Sequence, residues 1–205
     1  PHVTRRSSVA EAALREQTRR RYKPRRVEVL MIAESPPASG RSFYDADSGL
    51  YRAVRDVFRS VYPPADDRSF LESFRDRGWY LVDLCRMPVN HLKPRARRQA
   101  HAKGVPGLAR TLRRLRPSAV VLVVRMISPS VCHALQLAGW VGPYCELPYP
   151  GRWATARRDF ANGFQAVLRT LLRREQPARK VLRSVIAPHL GCACPPVGAK
   201  YISGT

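Results

Sequence analysis

The residues best placed to do chemistry lie in loops that follow short apolar runs. Val27 to Ala33 (VEVLMIA) breaks at Glu34-Ser35-Pro36-Pro37-Ala38-Ser39-Gly40, and Arg41-Ser42-Phe43-Tyr44 follows. Glu34 is a carboxylate placed where a sheet would end, and the two prolines stiffen the turn after it. Phe43 and Tyr44 are rings in an otherwise polar loop, where they can stack on a flat ligand such as a base. Taken alone, this stretch also fits an ordinary strand-to-helix turn with a solvated glutamate. The functional case rests on what other loops bring to the same place.

Those loops depend on the elements that hold them. Val27–Ala33, Trp79–Cys85 (WYLVDLC), Ala119–Val124 (AVVLVV) and Cys145–Tyr149 read as four short buried strands. Between them run helical patterns. Ser48 precedes Leu50, Val54, Val57, Phe58 and Val61, and a short helix carries Phe70, Leu71 and Phe74. A basic helix covers Arg95–Leu115, Ser128-Pro129 opens another, and Arg157–Leu172 is amphipathic. Apolar strands alternating with helices predict an α/β fold: a central, mainly parallel four-stranded sheet flanked by helices on both faces. Residues 1–26 read as a half-ordered basic arm in which Ser8 caps a short helix through Arg20, 27–175 as the α/β domain and 176–205 as a tail. Ligands of such sheets bind outside the carboxyl ends of the strands. The loops 34–45, 86–94, 125–130 and 148–158 are therefore the candidate site.

The charge names a class of partner. Lys plus Arg is 37 against 15 for Asp plus Glu, a net +22 at pH 7, and only five of the cations are lysine. A compact chain this basic repels itself, and a polyanion relieves that cost. The guanidinium fork grips phosphate bidentately, which makes nucleic acid the leading partner. Arg41, Arg86, Arg125, Arg152, Arg157 and Arg158 lie close to the strand ends as phosphate clamps, and Trp153 beside them is a candidate wedge. No apolar stretch is long enough to span a membrane, and the first 26 residues lack the apolar core of a secretory signal. Five cysteines, at 85, 132, 145, 192 and 194, form no CxxC pair. Reduced thiols fit them better than a disulfide framework or a zinc site. His91 and His133 are more economically structural than catalytic.

Three motifs in this order resemble the uracil-DNA glycosylase superfamily. Ala33-Glu34-Ser35-Pro36-Pro37 followed by Gly40-Arg41-Ser42-Phe43 is similar to a strand ending in Gly-Glu-x-Pro-Gly and then Gly-Arg-Pro-Phe. Val82-Asp83-Leu84-Cys85-Arg86-Met87-Pro88 stands where that family has Thr-Asn and then Cys-Arg-Pro-Pro. The third apolar run, preceded by Arg116-Pro117, matches in position. The similarity spans roughly residues 27–172.

The resemblance implies a role for each matching residue. Glu34 is implied to activate or position water, and Ser35 stands where other branches hold a catalytic Asp or Asn. Phe43, with Tyr44 beside it, is implied to stack on an extruded base, and Asp83, with Asn90 nearby, to read the base edge. The family's last motif usually contains His-Pro-Ser. Here Leu147-Pro148-Tyr149-Pro150-Gly151-Arg152-Trp153 has no histidine, and Arg152 is the candidate to carry the positive charge in its place. Some branches carry an iron–sulfur cluster; the amino-terminal cysteine pair is absent here, so no cluster, metal or other cofactor is expected.

The expected function is hydrolysis of the N-glycosidic bond of uracil or another deaminated base in DNA, by a monomer in the cytoplasm at the nucleoid or, in a eukaryote, in the nucleus. The alternative is a protein of the same fold that binds DNA or abasic sites without cleaving.

Overall fold

The computed structural model describes residues 2–63 and 69–175. Four strands, β1 (Val29–Ala33), β2 (Trp79–Asp83), β3 (Ala119–Leu122) and β4 (Tyr144–Glu146), form one sheet in the order β2-β1-β3-β4. Every pairing is parallel. The helices are α1 (His2–Arg21), α2 (Gly49–Val61), α3 (Phe70–Asp76), α4 (Pro94–Leu115), α5 (Ser128–Ala138) and α6 (Ala154–Glu175), with a 3-10 turn at Arg125–Ile127. The expected parallel α/β fold is therefore present.

The strands are shorter than the apolar runs because the ladder thins at their exits. Single bonds continue it: Leu84 N–H donates to the Ala33 carbonyl and Cys85 N–H to that of Glu34, at 2.9 and 2.8 Å. Local chemistry fixes the helix starts. Ser48 Oγ accepts from Tyr51 N–H at the head of α2, Ser69 and Glu72 form a reciprocal capping box on α3, and Pro94 opens α4.

Right-handed crossovers dictate the layers. The chain leaves β1 for β2 in one direction, then returns across β1 to β3 and on to β4. The two senses place their helices on opposite faces. Accordingly α4 packs with α5, and α2 with α6. Between α2, α3 and the sheet lies an aromatic core in which Phe58, Phe70, Phe74 and Trp79 are almost fully buried.

The first helix is longer than the short one, Ser8 to Arg20, that the sequence allows: α1 starts at His2 and runs through Arg21. Glu11–Arg15 and Glu16–Arg20 are spaced one helical turn apart, and Arg19 also bonds Glu16. Tyr22 then lies parallel to Tyr44 with ring centroids 5.8 Å apart, and the Arg19 guanidinium sits over Tyr80. Few apolar residues are needed when rings and guanidinium groups make the anchor. The expected tail, 176–205, lies outside the described residues.

Candidate active site

The connections out of β1 and β3 diverge, so a crevice opens where the strand order reverses, outside the carboxyl ends. A cleft of about 1200 Å³ occupies this place. Residues 33–37, 81–87 and Val124 form the strand-exit part of its lining, with α4 on one wall and α1 on another.

Glu34 and Asp83 meet here because of register. Ala33 pairs with Asp83 across the β1–β2 ladder, so Glu34 leaves the sheet one position beyond the aspartate's partner. Glu34 is 8% exposed and lines the cleft. Arg97 holds it in a fork: Nε donates to Oε1 and Nη2 to Oε2, both at 2.5 Å. His101 Nε2 donates to Oε1 at 2.7 Å. Burial alone would raise the Glu34 pKa, but these hydrogen bonds and the Arg97 charge outweigh it and hold the carboxyl below its ordinary range. Glu34 is thus a fixed anion. Three of its roughly four acceptor positions are filled, leaving one on Oε2.

Asp83 is the opposite case. It makes no side-chain hydrogen bond with the described residues, and it lines the same cleft. Burial raises its pKa to about 7, against the lowering charges of Arg19 and Arg15, and the Glu34 charge adds to the rise. One strand exit therefore holds a fixed anion, and its neighbour holds a carboxyl that changes charge near neutrality. Cys85, the next inward-facing residue, is pushed up to about 11 by burial and by Glu34 and Asp83, so its thiol stays protonated.

The other expected site residues divide. Ser35, Phe43, Tyr44, Arg86 and Asn90 line the cleft. Ser35 Oγ donates to the Pro36 carbonyl and accepts from Val89 N–H at 3.3 Å, latching the loop after β1 to the loop after β2. Phe43 is 6% exposed, with Tyr44, Tyr51, Phe70 and Phe74 against it, so it is a core ring that borders the cleft. Tyr44 is more committed. Its hydroxyl donates to the Leu81 carbonyl and accepts from Leu81 N–H, pinning the loop to β2.

Arg41, Arg125, Arg152, Trp153, Arg157 and Arg158 are exposed and do not line the cleft. Arg157 closes the turn before α6 through the Arg152 carbonyl at 2.6 Å. Arg97 and His101 are partners of Glu34 that the linear reading passes over; their one-turn spacing on α4 is the available signal. The cleft face of α1, which includes Ala12, Arg15, Glu16 and Arg19, shows the same kind of spacing. Gly104 lets α4 come this close, because a Cβ there would collide with the Leu84 carbonyl oxygen.

Among the described residues, no three His, Cys, Asp or Glu side chains gather to hold a metal ion, and no helix is long and apolar enough to cross a membrane. The chain matches no model of a known protein family and no curated protein.

Proposed function

We propose that this protein is a DNA glycosylase that hydrolyses the N-glycosidic bond of uracil or another deaminated base. The observation that carries this reading is the convergence of Glu34, Asp83 and Phe43 on one cleft outside the strand ends, with arginines on its walls. In the reaction the C1′–N bond breaks with its electron pair going to the base. A water oxygen bonds to C1′, and the proton it sheds ends on the released base. Positive charge develops on the sugar before water attacks, and a preorganised anion stabilises it. Glu34 suits that task better than proton abstraction: Arg97 and His101 keep it ionised and still, and its open Oε2 position can orient the water. Protonated Asp83 offers a donor and an acceptor side by side, as an amide does, to the O4 and N3–H edge of uracil. Ionised Asp83 offers acceptors alone and repels O4. Such an enzyme works where DNA is held, in the bacterial cytoplasm or a nucleus.

The test is excision from single- and double-stranded oligonucleotides carrying uracil, hypoxanthine or xanthine. Glu34→Gln keeps the shape of the side chain and removes its charge. Its excision rate should fall by about 10²–10³-fold, the range for losing one transition-state contact, while DNA affinity is kept. No excision of any base by a folded wild-type protein refutes the enzymatic reading. A second reading, a DNA-binding protein without cleavage, is favoured by the near-complete use of the Glu34 oxygens by Arg97 and His101. It requires tight DNA binding, no excision, and little effect of Glu34→Gln on affinity.

A further inference from the structure

The cleft is too large for a base alone. Small-ligand pockets run to roughly 300–1000 Å³, and this one is about 1200 Å³. Its extra length follows the helices. Along α4, Arg97, Lys103, Arg110 and Arg114 all line the cleft, and the helical rise makes that stripe roughly 25 Å long. Arg15 and Arg19 of α1 line it too. The charges of Arg19 and Arg114 both act on Tyr80 of the edge strand β2, so the two walls approach each other over that strand.

The cations of this groove are under-used within the chain. Glu16 is taken by Arg19 and Arg20, and Glu34 by Arg97. Arg86, Lys103, Arg110 and Arg114 form no ion pair among the described residues. Arg15 is more telling. Its side chain is 15% exposed, and Nη1 lies 3.8 Å from Glu11, beyond hydrogen-bond reach. Its Nη2 is buried with no acceptor at all among the described residues. A buried donor left unpaired destabilises the fold, and a phosphate oxygen entering the groove would relieve that cost.

The floor argues about strand form. Phe43, Leu81, Leu84, Met87 and Val89 line it. A duplex hides its bases and offers such a floor nothing, whereas a single strand offers unpaired bases to an apolar floor and phosphates to basic walls. We propose that the groove between α1 and α4 holds an extended single strand of DNA, with its phosphates on Arg15, Lys103, Arg110 and Arg114. The inference rests on the reading that DNA is the partner, and its test requires no cleavage.

Fluorescence anisotropy with labelled oligo-deoxythymidine of increasing length, and with a blunt duplex of matched length, reads this directly. Affinity should grow with oligomer length and level off within the roughly 4–16 nucleotides typical of such grooves, and the single strand should bind at least 10-fold more tightly than the duplex. Arg110→Gln and Arg114→Gln, on the exposed face of α4, should each weaken binding 3- to 10-fold. Each should also flatten the slope of log affinity against log salt by about 0.7, the share of one phosphate contact on a single strand. Arg15→Gln should do the same, and circular dichroism checks that α1 remains helical. Arg59→Gln, on α2 away from the cleft, should change neither.

Tighter duplex binding, or equal losses in the groove and control variants, overturns the inference. If oligo-deoxythymidine fails to bind while duplex uracil is excised, the inference falls and the glycosylase reading stands. If the groove variants behave as expected and no base is excised, the inference stands and the enzymatic reading falls.

Discussion

Replacing Asp83 with asparagine removes a carboxyl that the fold holds in an unfavourable place. The shape is kept, and no charge appears at any pH. Burial lifts the Asp83 pKa from 3.8 to about 7, with Arg15 and Arg19 of α1 pulling it down, and Glu34 from the β1 exit pushing it up. Glu16, Tyr44 and Cys85 also border the cleft, as do the cations Arg86 and Arg97. A carboxyl whose pKa is raised by folding favours the folded state while it is protonated. That contribution is whole below the unfolded value, drains at about 1.4 kcal/mol per pH unit between the two values, and is lost above the folded value. At pH 8 the wild-type protein therefore bears about 4 kcal/mol of cost that Asp83→Asn lacks, and at pH 5 less than about 2 kcal/mol. Urea unfolding of both proteins from pH 5 to pH 8 measures the difference. The advantage of the variant should grow by about 2–3 kcal/mol across that span, with unchanged m-values. A gap that is constant, or larger at pH 5, refutes the reasoning. The same variant reports on chemistry: wild-type uracil excision should decline as pH rises through about 7, and Asp83→Asn should not share the decline.

Arg97→Leu leaves the buried Glu34 with His101 as its remaining donor and should cost about 3 kcal/mol at pH 7. Because the Glu34 pKa is lowered in the fold, its stabilising contribution is present above the ordinary carboxylate range and lost below it. The gap between Arg97→Leu and wild type in urea midpoint should therefore close as pH falls through that range. Gly104→Ala would raise helix propensity by about 1 kcal/mol in an open helix, but here the new methyl meets the Leu84 carbonyl, and the melting temperature should fall by the equivalent of about 1–3 kcal/mol. Tyr44→Phe strands both Leu81 backbone groups in the core and should cost about 1–3 kcal/mol by chemical denaturation.

The sheet is legible in the sequence because β1, β2 and β3 are short, almost wholly buried apolar runs interrupted by turn chemistry and helical spacing, whereas the half-buried β4 lies at Tyr144–Glu146 rather than at Cys145–Tyr149. Parallel pairing follows from that alternation. The place of the cleft is legible for the same reason, and Glu34, Asp83 and Phe43 each border it. The partners of Glu34 are not. Arg97 and His101 come 63 and 67 residues later, in a helix crowded with other arginines, and only three-dimensional packing picks them out. The role of α1 is hidden differently: its hold on the domain is a ring stacked on a ring and a cation over a ring, which hydrophobic periodicity does not register. Conversely, the exposed arginines around α6 are close to the strand ends in sequence, yet sequence proximity does not turn them towards the cleft.

The way α1 is attached has a practical corollary. Its described anchors are Tyr22 on Tyr44 and Arg19 over Tyr80, all at one end of the helix, while no strand borrows a residue from it. A shortened protein starting just ahead of β1 would retain all four strands and the buried rings of Phe58, Phe70, Phe74 and Trp79. It would nevertheless present a ledge instead of a channel, so an inactive trimmed sample says nothing about the competence of the intact one.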